Sequence, residues 1–186
     1  MRLKKKWKRP SVSSSGSTDP EATSPPSEEE LYNLALRALT FRPHSSRELE
    51  DKLLRCCGDS TRISHVIERL KTASYLDDRK YVELFIQSRR DRKALGRFRI
   101  SRELRAKGLD PSLVQKVLDE IYPAEQERAP LRLALEKKLQ TLSAPMDAKK
   151  LARLYNHLLR LGFSVDAVRL ELDRRFDPDL EYEEQD

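Results

Sequence analysis

The side chains able to perform nucleophilic, acid–base or metal chemistry are few in this 186-residue sequence, and they lie apart. None of the three histidines has a second His or Cys four residues away, the spacing that places two metal ligands on one helix face. A thiolate at Cys56 or Cys57 would have only Arg55 beside it as a stabilising charge. We therefore predict no catalytic residue, no metal site and no cofactor. The three histidines are His44, His65 and His157.

Positive charge is concentrated in one part of the chain. Eleven bases stand against three acids between residues 79 and 107, a local charge of +8 that favours an anionic surface such as nucleic acid. The turn around Gly96 should gather the end of one helix and the start of the next on one side, where the cations could neutralise phosphates or acidic side chains. A solvated helix face is the simpler alternative. We call the eleven bases the basic belt, and its predicted contact residues are Arg89, Arg90, Arg92, Lys93, Arg97, Arg99, Arg102, Arg105 and Lys107.

The N-terminal arm is a second candidate for contact with nucleic acid. Residues 1–27 are rich in Ser, Pro and Lys and have no apolar periodicity, so they cannot offset the entropy of ordering and we predict disorder. Trp7 lies among cations there and could stack on a base, although a solubilising tail is an equally simple interpretation. The accessory contact residues of the arm are Lys4, Lys5, Lys6, Trp7, Lys8 and Arg9.

Composition excludes several classes of protein. Hydrophobic residues make up 38% of the chain and charged residues 37%, which is low for one large globule but sufficient for several small helical cores. Five glycines are too few for most nucleotide-cradling folds, and no segment approaches the ~18 apolar residues that span a bilayer. The adjacent cysteines cannot build a disulfide framework, and no apolar stretch follows the charged first ten residues. We expect a cytoplasmic protein without a secretory signal and without membrane contact.

Helix signals follow one another from Ser27 onward. Ser27 with Glu30, and Ser45 with Glu48, match capping boxes, in which hydroxyl and carboxylate each accept from the other residue's backbone amide. Apolar residues then recur at helical spacing. The adjacent acids at 77 and 78 are typical of an N-cap and a first-turn charge rather than of a catalytic pair. The further predicted N-caps are Ser60, Asp77, Asp110 and Ser164, with Pro111 at a first helical position and Gly108 as a left-handed C-cap.

The predicted helices repeat in sets of three. The tetrapeptide Ser-Arg-Glu-Leu occurs at residues 46–49 and again at 101–104, 55 residues later and at an equivalent position. A weaker third copy appears when Gly162 is aligned with Gly108. We predict an all-α fold of three tandem three-helix repeats that bury faces against their neighbours in an elongated, curved array. The predicted segments are a disordered arm at 1–27, repeats at 28–76, 77–122 and 123–176, and an acidic tail at 177–186.

Short motifs in the first two repeats are similar to those of a known family. The most specific stretch is residues 96–109, where Gly-Arg-Phe-Arg-Ile leads into Arg-Glu-Leu and then Lys-Gly-Leu. Ala-Leu-Arg-Ala-Leu at 35–39 and Tyr-Leu-Asp-Asp at 75–78 add to the pattern. With these residues the chain resembles the RecX family, bacterial regulators of the RecA recombinase. The resemblance covers residues 31–122 in letters and 123–176 mainly in helical period.

The resemblance implies a non-enzymatic protein of tandem three-helix units. Members of that family bind the helical filament that RecA forms on single-stranded DNA and restrain its ATPase, growth and strand exchange. We therefore expect a monomeric inhibitor of the filament that acts in homologous recombination and the SOS response. Its partners would be RecA and the single-stranded DNA within the filament, with bare DNA bound weakly. The basic belt as the contact surface is our inference from charge.

Two other functions remain open at the level of sequence. A direct DNA-binding protein could use three-helix units as helix-turn-helix proteins do, and would bind a specific bare DNA with a steep dependence on salt. A purely structural helical adaptor would bind its partners equally well after charge reversal in the basic belt.

Overall fold

The computed structural model of the chain describes residues 25–142 and 146–176. In these two ranges the chain forms nine α-helices and one turn of 3-10 helix at Ala124–Glu127, without a β-strand, which confirms the predicted all-α fold. No helix in them combines the length and the apolar character that crossing a bilayer requires. The helices are α1 (Glu28–Phe41), α2 (Ser46–Leu54), α3 (Ser60–Thr72), α4 (Asp78–Lys93), α5 (Arg97–Arg105), α6 (Pro111–Ile121), α7 (Arg128–Leu139), α8 (Ala148–Arg160) and α9 (Val165–Phe176).

Local capping chemistry determines where the helices begin. The Ser27 hydroxyl accepts from the Glu30 amide at 3.3 Å and the Glu30 carboxylate accepts from the Ser27 amide at 2.8 Å, which confirms the first capping box. Ser45 and Glu48 form the second box, with the corresponding distances of 3.1 and 3.4 Å. The other confirmed N-caps are Asp77, Asp110 and Ser164.

One predicted N-cap is wrong by one residue. Ser60 is the first residue of α3, and Asp59 is its N-cap, accepting from the Arg62 amide at 3.1 Å. The Asp59 carboxylate also pairs with the Arg62 guanidinium at 3.4 Å. A carboxylate at the positive end of the helix dipole, with a cation in reach, is a stronger cap than a hydroxyl.

Each set of three consecutive helices encloses a hydrophobic cluster. Helices α1–α3 bury residues such as Leu31, Leu49 and Ile63, and α4–α6 bury Ile100 and Leu104 among others. Helices α7–α9 surround a third cluster. Such short helices are marginal alone, so most of their stability comes from this packing. The fully buried members of the third cluster include Leu131, Leu154, Leu158 and Val168. The three clusters agree with the predicted three-helix repeats.

The second and third clusters meet at the start of α5. The Gly96 amide donates to the Leu161 carbonyl at 2.9 Å, and the Phe98 amide donates to the Gly162 carbonyl at 3.1 Å. A Cβ on Gly96 would lie 2.2 Å from the Gly162 oxygen, so only glycine allows this approach. Ala94, just before α5, is buried in the third cluster. The first turn of α5 is therefore held in place by the connection between α8 and α9.

Candidate nucleic-acid interface

The contact residues of the basic belt lie on α4, on α5 and just after α5, and the structure divides them into two groups. Five have their charged groups engaged by other residues of the fold, and four are exposed to solvent. The arm residues Lys4, Lys5, Lys6, Trp7, Lys8 and Arg9 lie outside the described residues, as does the acidic tail. The five engaged contact residues are Arg89, Arg90, Arg97, Arg99 and Lys107.

Arg89 joins α4 to α5. Its Nε atom donates to the Glu103 carboxylate at 2.8 Å, and its guanidinium lies 4.2 Å from the centre of the Phe85 ring. Arg99 donates to the same Glu103 carboxylate at 3.2 Å. Partial burial acts to raise the pKa of Glu103, but the hydrogen bonds from the two arginines prevail and lower it. Both guanidinium groups therefore stabilise the second three-helix unit.

Arg90 and Arg97 attach their helices to α6. The Arg90 guanidinium donates to the Ile121 carbonyl at the end of α6, at 3.2 Å, and lies 5.8 Å from the centre of the Tyr122 ring. Burial raises the pKa of Tyr122, whose hydroxyl donates to a backbone carbonyl. The Arg97 guanidinium pairs with Asp119 of α6 and its side chain is only 16% exposed. Neither cation is available for a phosphate without loss of these contacts.

Lys107 connects the second unit to the first. Its ammonium donates to the Glu48 carboxylate at 2.6 Å, and its carbonyl accepts from the Ser45 hydroxyl at 3.0 Å. The Tyr81 hydroxyl donates to the same carboxylate at 3.2 Å. Burial opposes ionisation of Glu48, but the hydrogen bond and the charge of Lys107 outweigh it and lower the pKa to about 2.

Replacing Glu48 with Gln should reduce stability in a pH-dependent way. Because the pKa of Glu48 is depressed in the folded state, its ionised form stabilises the protein above the unfolded value near 4.5. That contribution is lost as the pH falls from there through about 2. We expect Glu48→Gln to lower the free energy of unfolding by about 2 kcal/mol at pH 7, with the difference from the wild type shrinking below pH ~4.5. Urea unfolding at pH 7, 4 and 3 measures this.

Glu50→Gln is the matched control for Glu48→Gln. Glu50 lies on the same helix but forms an exposed pair with Arg47 at 3.1 Å, which should contribute less than ~0.5 kcal/mol. An offset between Glu48→Gln and the wild type that stays constant from pH 7 to pH 3 would contradict the assigned role of the Glu48 charge.

Four of the nine predicted contact residues are exposed to solvent and make no ion pair with any other residue in the two described ranges. Two of them end α4, and two lie three positions apart on α5, which places them on one helix face. We call these four the outer set. We predict that the pair at the end of α4 and the pair on α5 form one continuous surface. The outer set is Arg92, Lys93, Arg102 and Arg105.

An exposed aromatic residue, Phe98, completes the site and was missing from the sequence prediction. Its side chain is 68% exposed in the first turn of α5. The sequence does contain a signal for it, because Phe98 is out of phase with the inward positions Ile100 and Leu104 and has arginines on both sides. An exposed ring among cations is the usual arrangement of surfaces that bind single-stranded nucleic acid.

The histidines and cysteines give no sign of a reactive centre in the part of the chain that the structure describes. No group of three or more His, Cys, Asp or Glu side chains there could hold a metal ion. The His44 ring is buried with Nδ1 2.8 Å from the Arg42 carbonyl oxygen, and burial lowers its pKa. Cys57 is buried in the first cluster and Cys56 is exposed.

Comparison with known proteins places the chain in a family. Residues 32–70 match the model of "RecX, first three-helix domain", and residues 77–118 match "RecX, second three-helix domain". Regulatory protein RecX of Halorhodospira halophila is 33% identical over 141 residues, covering 76% of this chain and 85% of that protein. Regulatory protein RecX of Oceanobacillus iheyensis is 30% identical over 82% of this chain, which spans 57% of that longer relative.

A solved structure supports the fold independently. The crystal structure of RecX from Lactobacillus salivarius superposes with a TM-score of 0.68 at 24% sequence identity. The match covers 79% of this chain and 95% of that one. Three observations point to the same family: the three-helix motifs predicted from the sequence, the two matching domain models, and the similarity over most of a relative's length. This chain therefore belongs to the RecX family.

Proposed function

We propose that this chain is a non-enzymatic regulator that binds the filament of RecA on single-stranded DNA and lowers its ATPase, growth and recombinase activity. RecA as the partner follows from the resemblance of residues 31–122 to RecX proteins, and the two relatives compared above are called regulatory proteins. The observation that carries the proposal is the outer set, four exposed cations of the second three-helix domain that pair with no acid within residues 25–142 and 146–176. They suit a filament groove that presents phosphates and acidic side chains.

The remaining parts of the proposal concern where and how the protein acts. It would work as a monomer in the cytoplasm, in homologous recombination and in the SOS response, and would need no cofactor. The engaged arginines favour a binding role over an enzymatic one, because Arg89 and Arg97 are held in ion pairs that join one helix to another. Cations of the fold likewise engage the carboxylates of Glu48 and Glu103, whose pKa values are lowered.

A titration of the protein into RecA on single-stranded DNA tests the proposal. We expect the DNA-dependent ATPase rate to fall at ratios well below one protein per RecA, because a regulator that lies along a filament affects several subunits. Binding of the protein to the same DNA without RecA is the control. An unchanged ATPase rate together with tight, sequence-dependent binding to bare DNA would replace the proposal with the direct DNA-binding alternative.

A further inference from the structure

The grooves beside Phe98 indicate which kind of ligand could bind over its exposed ring. A single exposed ring is common on protein surfaces and carries little meaning alone. Phe98 and Arg102, however, line two grooves at once. One groove, of about 610 Å³, also contains Arg99 and Arg160 and reaches α8. The other, of about 620 Å³, also contains Arg105 and reaches α6.

The backbone beneath Phe98 is fixed by the protein itself. The amides of residues 96, 97 and 98 donate to the Leu161 carbonyl, the Glu127 carboxylate and the Gly162 carbonyl at 2.9, 2.6 and 3.1 Å. The amides of these three residues are therefore already satisfied and cannot bind a phosphate. A ligand at this place would have to use the Phe98 ring and the surrounding guanidinium groups, which stand on a rigid base.

The charge around the ring is positive on both sides. Of the residues that line the two grooves, Glu127 is the one acid, and it is 3% exposed and accepts from the Arg97 amide at 2.6 Å. Arg102, Arg105 and Arg160 are exposed and make no ion pair within the described residues. An anionic chain could thus pass on either side of the ring and meet an unpaired guanidinium in each groove.

We propose that Phe98 is a stacking platform for one base of single-stranded DNA, with Arg102, Arg105 and Arg160 binding the phosphates on either side. Every base has a π-face, so a ring between two cationic grooves binds an unpaired strand without regard to sequence. Bases inside a duplex are stacked on each other and cannot cover the ring. This inference rests on the proposed function, because the strand that Phe98 would bind is the single-stranded DNA of the RecA filament.

Affinity for an oligo(dT) strand at low salt provides the first test. We expect Phe98→Ala to bind about 5- to 150-fold more weakly than the wild type, the usual effect of removing one stacking partner. Phe98→Tyr should bind like the wild type because it keeps the ring. Phe41→Ala is the matched control, since Phe41 is a 90% exposed ring at the end of α1 and its removal should leave the affinity unchanged. Fluorescence anisotropy of a labelled strand measures all four proteins.

Tryptophan fluorescence provides a direct readout of stacking. The chain has one tryptophan, Trp7, so Trp7→Phe gives a background in which Phe98→Trp or Phe41→Trp introduces the sole tryptophan. Oligo(dT) should quench the emission of Phe98→Trp, because stacked bases quench indole, and leave that of Phe41→Trp unchanged. Affinity of Phe98→Ala within twofold of the wild type, or no quenching of Phe98→Trp, would overturn the stacking platform.

The filament assay separates this inference from the proposed function. If the wild type lowers the ATPase rate of RecA while Phe98→Ala retains full affinity for oligo(dT), the platform is wrong and the filament regulator stands. If Phe98 is needed for binding to oligo(dT) while the wild type leaves the ATPase rate unchanged, the platform stands and the regulator is wrong. A Phe98→Ala protein that binds DNA normally but fails to inhibit RecA would assign the ring to a protein contact and overturn the platform.

Discussion

Gly96→Ala is expected to lower the free energy of unfolding by about 3–5 kcal/mol, because the new methyl group collides with backbone that cannot move aside. The added Cβ would lie 2.2–2.4 Å from three backbone atoms of Gly162 and Phe163, whereas ordinary contacts begin near 3.4 Å. Overpacking of this kind costs roughly 1–3 kcal/mol. Moving the start of α5 away from the α8–α9 connection also breaks the hydrogen bonds that the Gly96 and Phe98 amides donate. Each of these bonds contributes about 1 kcal/mol.

Gly58→Ala is the control for this prediction. A Cβ on Gly58 meets nothing within 4 Å, so the substitution should change stability by less than ~0.5 kcal/mol. Urea unfolding followed by circular dichroism compares the two variants with the wild type. Amide hydrogen exchange should also become faster at Gly96 and Phe98 in Gly96→Ala. Equal stabilities of Gly96→Ala and Gly58→Ala would show that the contact between α5 and the α8–α9 connection contributes nothing.

Features of the fold that depend on neighbouring residues could be predicted from the sequence. The capping box of Ser27 and Glu30 and the left-handed conformation of Gly108, with φ of +75°, each follow from a few adjacent residues. The one-residue error at Ser60 is also local, because Asp59 and Ser60 are both common N-cap residues and the pair with Arg62, three residues from Asp59, favours Asp59. A turn around Gly96 was predictable, but its approach to Gly162, 66 residues later, depends on how two units pack.

The candidate site shows the same division between local and tertiary information. Counting charges located the basic belt, because the number of cations between residues 79 and 107 is a property of the sequence. Which cations remain exposed depends on partners from other elements, as when Asp119 of α6 engages Arg97 and Glu48 of α2 engages Lys107. Arg160, on α8, reaches the same groove as Arg99 and was absent from the predicted belt for the same reason.

Reversing the outer set should abolish binding while leaving the fold intact. In the variant Arg92→Glu, Lys93→Glu, Arg102→Glu and Arg105→Glu, each new carboxylate replaces an exposed cation that has no ion pair among the residues that the structure describes. We expect affinity for the RecA filament and for oligo(dT) to fall more than ~100-fold at moderate salt, since four phosphate contacts become repulsive. Filament sedimentation and anisotropy measure the two affinities. Circular dichroism should show unchanged helix content and a cooperative melt at a somewhat lower temperature, because the carboxylates lie in the last turns of α4 and α5.

A lower net charge could by itself weaken binding to any polyanion, so the control variant must have its net charge lowered by the same amount. Reversal of Lys137, Lys149, Arg153 and Arg169, exposed cations of the third unit without ion pairs in the described ranges, also shifts the charge by −8. If the outer set makes local contacts, this control should lose far less affinity. The plot of log affinity against log salt should flatten by about 0.7 for each single-strand phosphate contact removed, hence by about 3 for the outer set. Equal losses in the two variants would mean that long-range attraction, and not a site on α4 and α5, holds the protein to its partner.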